Sequence, residues 1–148
     1  MNKLASFLTH FLSSIRTVLR LVAVVLWFFT LFMIFIITRG LNLKIKDDMP
    51  RFFHYGFLKL LNVRVDLYGT LKRDKPGLII SNHASWLDIS ILSSLTNICF
   101  IAKSEVSNWP VIGFLAKLQD TLFIERKANR AAIQKNEIMN FLSRGKKL

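Results

Sequence analysis

Apolar and polar positions alternate with three different rhythms along the chain. Over the first twenty residues, Leu4, Phe7, Leu8, Phe11, Leu12, Ile15, Val18 and Leu19 recur at intervals of three and four. Lys3, Ser6, His10, Ser13, Arg16 and Arg20 fall between them. That spacing predicts an amphipathic helix with a basic polar face, suited to lying among lipid head groups. His10 reads as a solvated residue on that face. From Leu21 to Thr38 the polar positions all but vanish: the run carries no charge, and Arg20 and Arg39 bracket it. As a helix it covers roughly 27 Å, close to the ~30 Å hydrocarbon core of a bilayer. A signal peptide would have a shorter apolar stretch and a small-residue cleavage site, which Ile36-Ile37-Thr38-Arg39-Gly40 is not. The run is therefore expected to be an uncleaved anchor, either spanning the membrane or entering it as a re-entrant helix. Lys3, Arg16 and Arg20 on one side face Arg39, Lys44, Lys46 and Arg51 on the other, so the count of flanking cations selects no orientation.

Beyond Pro50 shorter elements take over. Phe53, Phe57, Leu60 and Leu61 make one stripe of a second helix near the membrane, with His54 and Lys59 off it. Val63, Val65 and Leu67 alternate with Arg64 and Asp66, as in a half-buried strand. Gly69 to Gly77 is a polar turn containing Lys72-Arg73-Asp74-Lys75-Pro76. The pattern then gives strands at 78–80, 98–102 and 121–124 and helices at 86–95 and 110–117. A last helix over 129–144 has its stop at Gly145. Strands alternating with helices define an α/β class: an N-terminal membrane helix followed by a partial, largely parallel sheet with helices on both faces. The expected domains are a membrane anchor at 1–39, a linker and membrane-proximal helix at 40–62, and a catalytic segment at 63–148.

Composition narrows the class of function. The chain is 52% hydrophobic and 12% aromatic, yet its formal net charge is +12. Disorder is excluded, because a disordered chain pairs charge with low hydrophobicity. The cations are dispersed and no recognition module accompanies them, so nucleic acid is not the expected partner. Apolar bulk with positive charge suits a protein that sits on membrane lipids and faces anionic head groups. The single cysteine, Cys99, allows no disulfide within the chain, fits a reducing compartment, and reads as a small core residue of a buried strand.

The stretch richest in chemistry is Ser81-Asn82-His83-Ala84-Ser85-Trp86-Leu87-Asp88. It follows an apolar strand and precedes a helix, a usual place for a site in an α/β fold. From the first turn of the helix, Asp88 can reach back to one nitrogen of His83 and leave the other outward as a general base for an alcohol. A plainer reading stands beside it: Ser85 and Asp88 have capping-box spacing, so the carboxylate could serve only the helix start.

In its context, Asn82-His83-(four residues)-Asp88 resembles the glycerolipid acyltransferase family, which acylates 1-acyl-glycerol-3-phosphate and related lysolipids. The resemblance continues through Phe100-Ile101-Ala102-Lys103-Ser104-Glu105, Trp109-Pro110-Val111-Ile112-Gly113 and Phe123-Ile124-Glu125-Arg126, and covers residues 63 to 148. It implies that His83 deprotonates the lysolipid hydroxyl, which attacks the thioester of acyl-CoA or acyl-carrier protein. Asp88 would hold the imidazole. Asn82 and Ser85 would line the substrate site, and Arg126 with Lys103 would bind the acceptor's phosphate. No metal and no cofactor are implied. The location implied is a membrane, the inner (cytoplasmic) membrane if the source is bacterial, with the catalytic part facing the cytoplasm.

Two departures qualify the resemblance. Lys117-Leu118-Gln119-Asp120-Thr121 lacks the glycine the family often carries before the second strand. The family also continues into a further strand and a Glu-Gly-Thr or Glu-Gly-Ser block, whereas this sequence ends at Ser143-Arg144-Gly145-Lys146-Lys147-Leu148. The expectation is an N-terminal part of a longer acyltransferase, with little activity on its own. The leading acceptor is 1-acyl-glycerol-3-phosphate. A lyso-ornithine lipid or another lysolipid is the alternative, and a non-enzymatic adaptor that gathers anionic lipid is the rival from another class.

Overall fold

A computed structural model describes residues 3–72 and 75–148, with the side chains of residues 3–5 and 128 left aside. The face positions Lys3 and Leu4, and Arg73 and Asp74 of the polar turn, thus lie outside the described side chains. The chain divides into two compact units, Met1–Asp66 with Ile89–Leu95, and Leu67–Asp88 with Thr96–Leu148.

The first unit is built on α1 (Lys3–Gly40). The sequence reading separates an in-plane helix over the first twenty residues from an anchor over 21–38. The structure joins them in one helix with no turn between, because neither proline nor glycine interrupts residues 3–39. Its 38 residues extend about 57 Å. Leu26, Phe29, Met33 and Ile37 stand exposed along it, and the helix is long and apolar enough to cross a membrane.

Residues 44–47, expected as linker, form a single 3-10 turn. The helix α2 (Met49–Leu60) follows, with Pro50 in its first turn, where a missing N–H costs nothing. It packs on α1 through aromatic contacts and one directed bond. The Trp27 Nε1–H donates to the Phe53 carbonyl at 3.1 Å, and Phe28 meets Phe53 edge to face at 5.8 Å. Gly56 lies beneath the Trp27 indole, and a Cβ there would overlap the ring. Gly56→Val is expected to destabilise this helix pair by about 1–3 kcal/mol, the usual cost of overpacking. Thermal unfolding in detergent reads the effect; an unchanged midpoint would count against the packing described.

One correction concerns His54. The apolar stripe leaves it off the packed face, but it is 6% exposed and its Nδ1 lies 3.1 Å from Ser90 Oγ. The stripe positions Phe53 and Phe57 stack on each other and are half-buried, while Met49 and Leu58 are the buried apolar side chains of α2. The Ser90 hydroxyl gives the buried imidazole a hydrogen-bond partner at Nδ1, as burial of a polar ring requires. Ser90 belongs to α3 (Leu87–Leu95), close to the helix read over 86–95.

A second correction concerns the strand expected at 63–67. Val63 and Val65 are half-buried and Arg64 and Asp66 exposed, so the alternation holds that far, but Leu67 is exposed as well and the segment is not a strand. The Val63 N–H instead donates to the Leu58 carbonyl, closing the end of α2. A two-residue period specifies a face, whereas a strand also needs a partner backbone.

The second unit carries the sheet. β1 (Ile101–Lys103) pairs with β2 (Leu122–Ile124) in parallel, Ile101 opposite Leu122 and Lys103 opposite Ile124. Between them run a 3-10 turn at Ser104–Asn108 and α4 (Ile112–Leu118), and α5 (Ala131–Ser143) follows β2. The α/β class and the parallel pairing agree with the sequence pattern. The strand read over 78–80 survives only as a bridge: Gly77 pairs in parallel with Lys147, and the Ile79 N–H donates to the Leu148 carbonyl at 2.6 Å. The sequence reading placed no strand at 147–148, but the Lys147 carbonyl also accepts the Cys99 N–H at 2.8 Å, so this segment bonds on both sides. Cys99, Leu122 and Leu148 are the buried core, with Ile138, Phe141 and Leu142 of α5 packed against it. Cys99 is thus a core residue, as expected. Gly145 ends α5 at φ +76°, the left-handed conformation a helix stop favours.

Candidate active site

The loop after the Gly77–Ile80 segment turns back on itself at Asp88. One carboxylate oxygen, Oδ2, accepts three bonds: from the Ala84 N–H at 2.7 Å, from the Ser85 N–H at 2.9 Å, and from His83 Nδ1 at 3.1 Å. The Ser85 hydroxyl in turn accepts the Leu87 N–H at 3.1 Å. With the Ser85 hydroxyl capping the Leu87 N–H and the Asp88 carboxylate accepting the Ser85 N–H, the helix start is held much as in a capping box, so the plainer reading of this pair holds. The same oxygen that caps the helix also meets the imidazole of His83, so the contact that a dyad needs and the cap coexist. His83 can meet that oxygen only with its proton on Nδ1, which leaves the Nε2 lone pair as acceptor. Its side chain is 68% exposed, against 25% for that of Asp88, so the ring is open to a substrate and its partner is sheltered.

The electrostatics suit that division. The backbone N–H groups of Ser85 and Ala84, and then His83, hold the Asp88 carboxyl below its ordinary value of 3.8, outweighing the opposing effect of burial. The carboxylate is therefore charged at any pH at which the imidazole acts as a base. Asn82, the residue before His83, is exposed.

The remaining residues implied by the resemblance lie at the carboxyl ends of the paired strands. Lys103 closes β1 opposite Ile124, and two residues beyond Ile124 comes Arg126. Parallel register sends both from the same edge of the sheet, the edge where ligands bind in open α/β sheets. The structure treats the two cations differently. Lys103 is paired with Glu105, Nζ to Oε1 at 2.8 Å, and the lysine holds the Glu105 carboxyl below its usual range. Its charge is thus already matched, which the strand pattern could not reveal. Arg126 is exposed, and the neighbouring Glu125 is engaged by Lys127 at 3.1 Å instead. Among the described residues Arg126 makes no ion pair, so its guanidinium is the cation at this edge open to an anion.

The loop thus presents His83 and Asp88 with the imidazole outward, and the strand edge beyond it carries an exposed arginine, Arg126. The Acyltransferase family model matches residues 62–148, more than half of the chain, and the protein belongs to this glycerolipid acyltransferase family. Among curated proteins, the chain is 42% identical over 106 residues to a lyso-ornithine lipid O-acyltransferase of Rhizobium meliloti (strain 1021), covering 71% of this chain and 36% of that protein. It is 43% identical over 110 residues to the protein of the same name from Brucella abortus (strain 2308), covering 71% and 41%. A 1-acyl-sn-glycerol-3-phosphate acyltransferase of Neisseria gonorrhoeae is 43% identical over 53 residues, 36% of this chain and 21% of that protein. The chain spans about two fifths of the length of the first two relatives. No solved structure matches.

Proposed function

We propose that the complete protein is a membrane-bound lysolipid O-acyltransferase that moves a fatty acyl group from acyl-CoA or acyl-carrier protein to the free hydroxyl of its acceptor. The observation that carries this reading is the contact between His83 Nδ1 and Asp88 Oδ2 at 3.1 Å in a ring otherwise exposed. In the reaction, Nε2 of His83 takes the hydroxyl proton as the oxygen attacks the thioester carbonyl. The carbon–sulfur bond of the resulting tetrahedral adduct then breaks, and the imidazolium returns the proton to the departing thiolate. No residue of the protein is acylated. Asp88 keeps the ring in the reactive tautomer and stabilises its positive form. An adaptor that only gathers lipid would need no such orientation of an imidazole.

For the acceptor, we favour a lyso-ornithine lipid over 1-acyl-glycerol-3-phosphate, reversing the order suggested by the sequence motifs. The two relatives matched over 106 and 110 residues both carry the lyso-ornithine name, against 53 residues for the 1-acyl-sn-glycerol-3-phosphate acyltransferase of Neisseria gonorrhoeae. The chemistry of Arg126 accommodates the change, because ornithine bears a carboxylate where glycerol-3-phosphate bears a phosphate, and a guanidinium fork meets two oxygens of either. The test is an acceptor comparison in the complete protein, with one labelled acyl thioester and the two lysolipids. The expected result is a kcat/KM at least about tenfold higher for the lyso-ornithine lipid, a discrimination of ~1.4 kcal/mol. A ratio tilted the other way returns the acceptor to 1-acyl-glycerol-3-phosphate.

A further inference from the structure

Arg126 does not stand on a plain strand end. The Lys127 N–H donates to the Glu125 carbonyl at 2.9 Å, a bond between residues two apart that makes Arg126 the middle of a three-residue turn. That same carbonyl accepts a second bond. Nε2 of Gln134, from the first turns of α5, reaches back nine residues to it at 2.6 Å. Gln134 is half-buried, and Glu125 is half-buried while Arg126 is exposed. The Lys127 carbonyl then accepts the Arg130 N–H at 3.0 Å, which leads the chain into α5. The peptide before Arg126 is therefore held by its own turn and, from outside the turn, by one glutamine.

We infer that Gln134 is a positioning residue for acceptor binding: its amide fixes the Glu125 carbonyl and so aims the Arg126 side chain. The inference rests on the reading of Arg126 as the acceptor's anion-binding residue. A three-residue turn closed by a single short-range bond can rock about its ends, and a second donor on the same carbonyl removes that freedom. Holding the arginine before the acceptor arrives lowers the ordering cost of binding, so the advantage belongs to affinity and leaves the chemical step untouched. The glutamine suits the task by length and by charge. A neutral amide donates to the carbonyl without competing with the guanidinium for the anion.

The test uses the complete protein in detergent micelles, with Gln134→Leu, Gln134→Glu and Arg126→Ala, singly and combined. Gln134→Leu keeps the bulk and loses the donor; Gln134→Glu keeps the shape but turns an oxygen toward a carbonyl oxygen. Each is expected to raise KM for the lysolipid about five- to tenfold, with kcat and the KM for the acyl thioester unchanged, the pattern of lost uniform binding. In the Arg126→Ala background, Gln134→Leu should add nothing. The Glu125 carbonyl 13C resonance should shift in Gln134→Leu, which reports the bond without reference to activity. Arg126→Ala raising the acceptor KM while Gln134→Leu leaves it at the wild-type value overturns the positioning role alone. Arg126→Ala at wild-type KM overturns the anion-binding reading, and the role of Gln134 with it. A merely stabilising glutamine would alter the unfolding midpoint and the yield, and would leave the acceptor KM of the folded protein in place.

Discussion

His83→Ala in the complete protein is expected to lower kcat for acyl transfer by about 10²–10⁴, the range associated with loss of a positioned general base. Uncatalysed attack by a neutral hydroxyl on a thioester is slow because the oxygen becomes positive as the bond forms. In the proposed mechanism Nε2 removes that proton during attack, and Asp88 does not duplicate it: its Oδ2 faces Nδ1 and also accepts the Ala84 and Ser85 amides. The side chain is 68% exposed and packs against little, so its truncation should leave folding and membrane partition as they were. Steady-state kinetics with purified protein check the rate, and flotation with vesicles checks the partition. A loss of rate together with a loss of folded protein would point to a structural role instead.

Asp88→Asn should cost a comparable factor, about 10²–10⁴ in kcat, for a different reason. An asparagine carbonyl can still accept the Ala84 and Ser85 amides, so the helix start survives. It carries no charge to stabilise the imidazolium, and its amide group can turn the ring to the wrong tautomer. Asp88→Ala removes the cap as well and should also lower the unfolding temperature, a difference that separates the two duties of one carboxylate. Acid supplies a third view. The native carboxyl titrates below its ordinary 3.8 because the Ser85 and Ala84 amides and His83 favour the charged form. A group whose folded pKa is depressed contributes stability that is in place above its unfolded value and disappears as pH falls through the folded one. The Asp88 side-chain 13C resonance should therefore titrate below 3.8, and the Ala84 and Ser85 amides should lose exchange protection in that same acid range. Titration at or above 3.8 would mean the loop does not hold the geometry described.

How much of this was legible in the sequence depends on how local the cause is. The helices at 87–95, 112–118 and 131–143 agree with their reading from apolar spacing and from Gly145, because periodicity and a left-handed stop are properties of neighbouring residues. β2 at 122–124 was legible for the same reason, and β1 was displaced toward Lys103. The segment at 63–67 shows the limit: its alternation marks a half-buried face, but pairing depends on a partner that no local pattern names. The continuity of α1 follows from an absence of breakers that composition had masked, since the change from amphipathic to apolar suggested two objects. In the candidate site, His83 and Asp88 could be matched because both lie in one short loop. The pairing of Lys103 with Glu105 could not, nor could the reach of Gln134 to the Glu125 carbonyl, which depends on where α5 settles beside a turn nine residues earlier. Burial of His54 against Ser90 joins residues 36 apart and leaves no mark on either segment.

The central claim is that the imidazole of His83 acts as general base for direct transfer of an acyl group from the thioester to a lysolipid hydroxyl, with no acyl-enzyme between. It is tested most directly by giving the complete protein, in wild-type and His83→Ala forms, a labelled acyl thioester with and without lyso-ornithine lipid, and following both lipid and protein by mass spectrometry. The expected result is labelled ester on the acceptor hydroxyl with the wild type, almost none with His83→Ala, and no label on the protein in either. Equal ester formation by the two forms, or label accumulating on a residue of the chain, would contradict it.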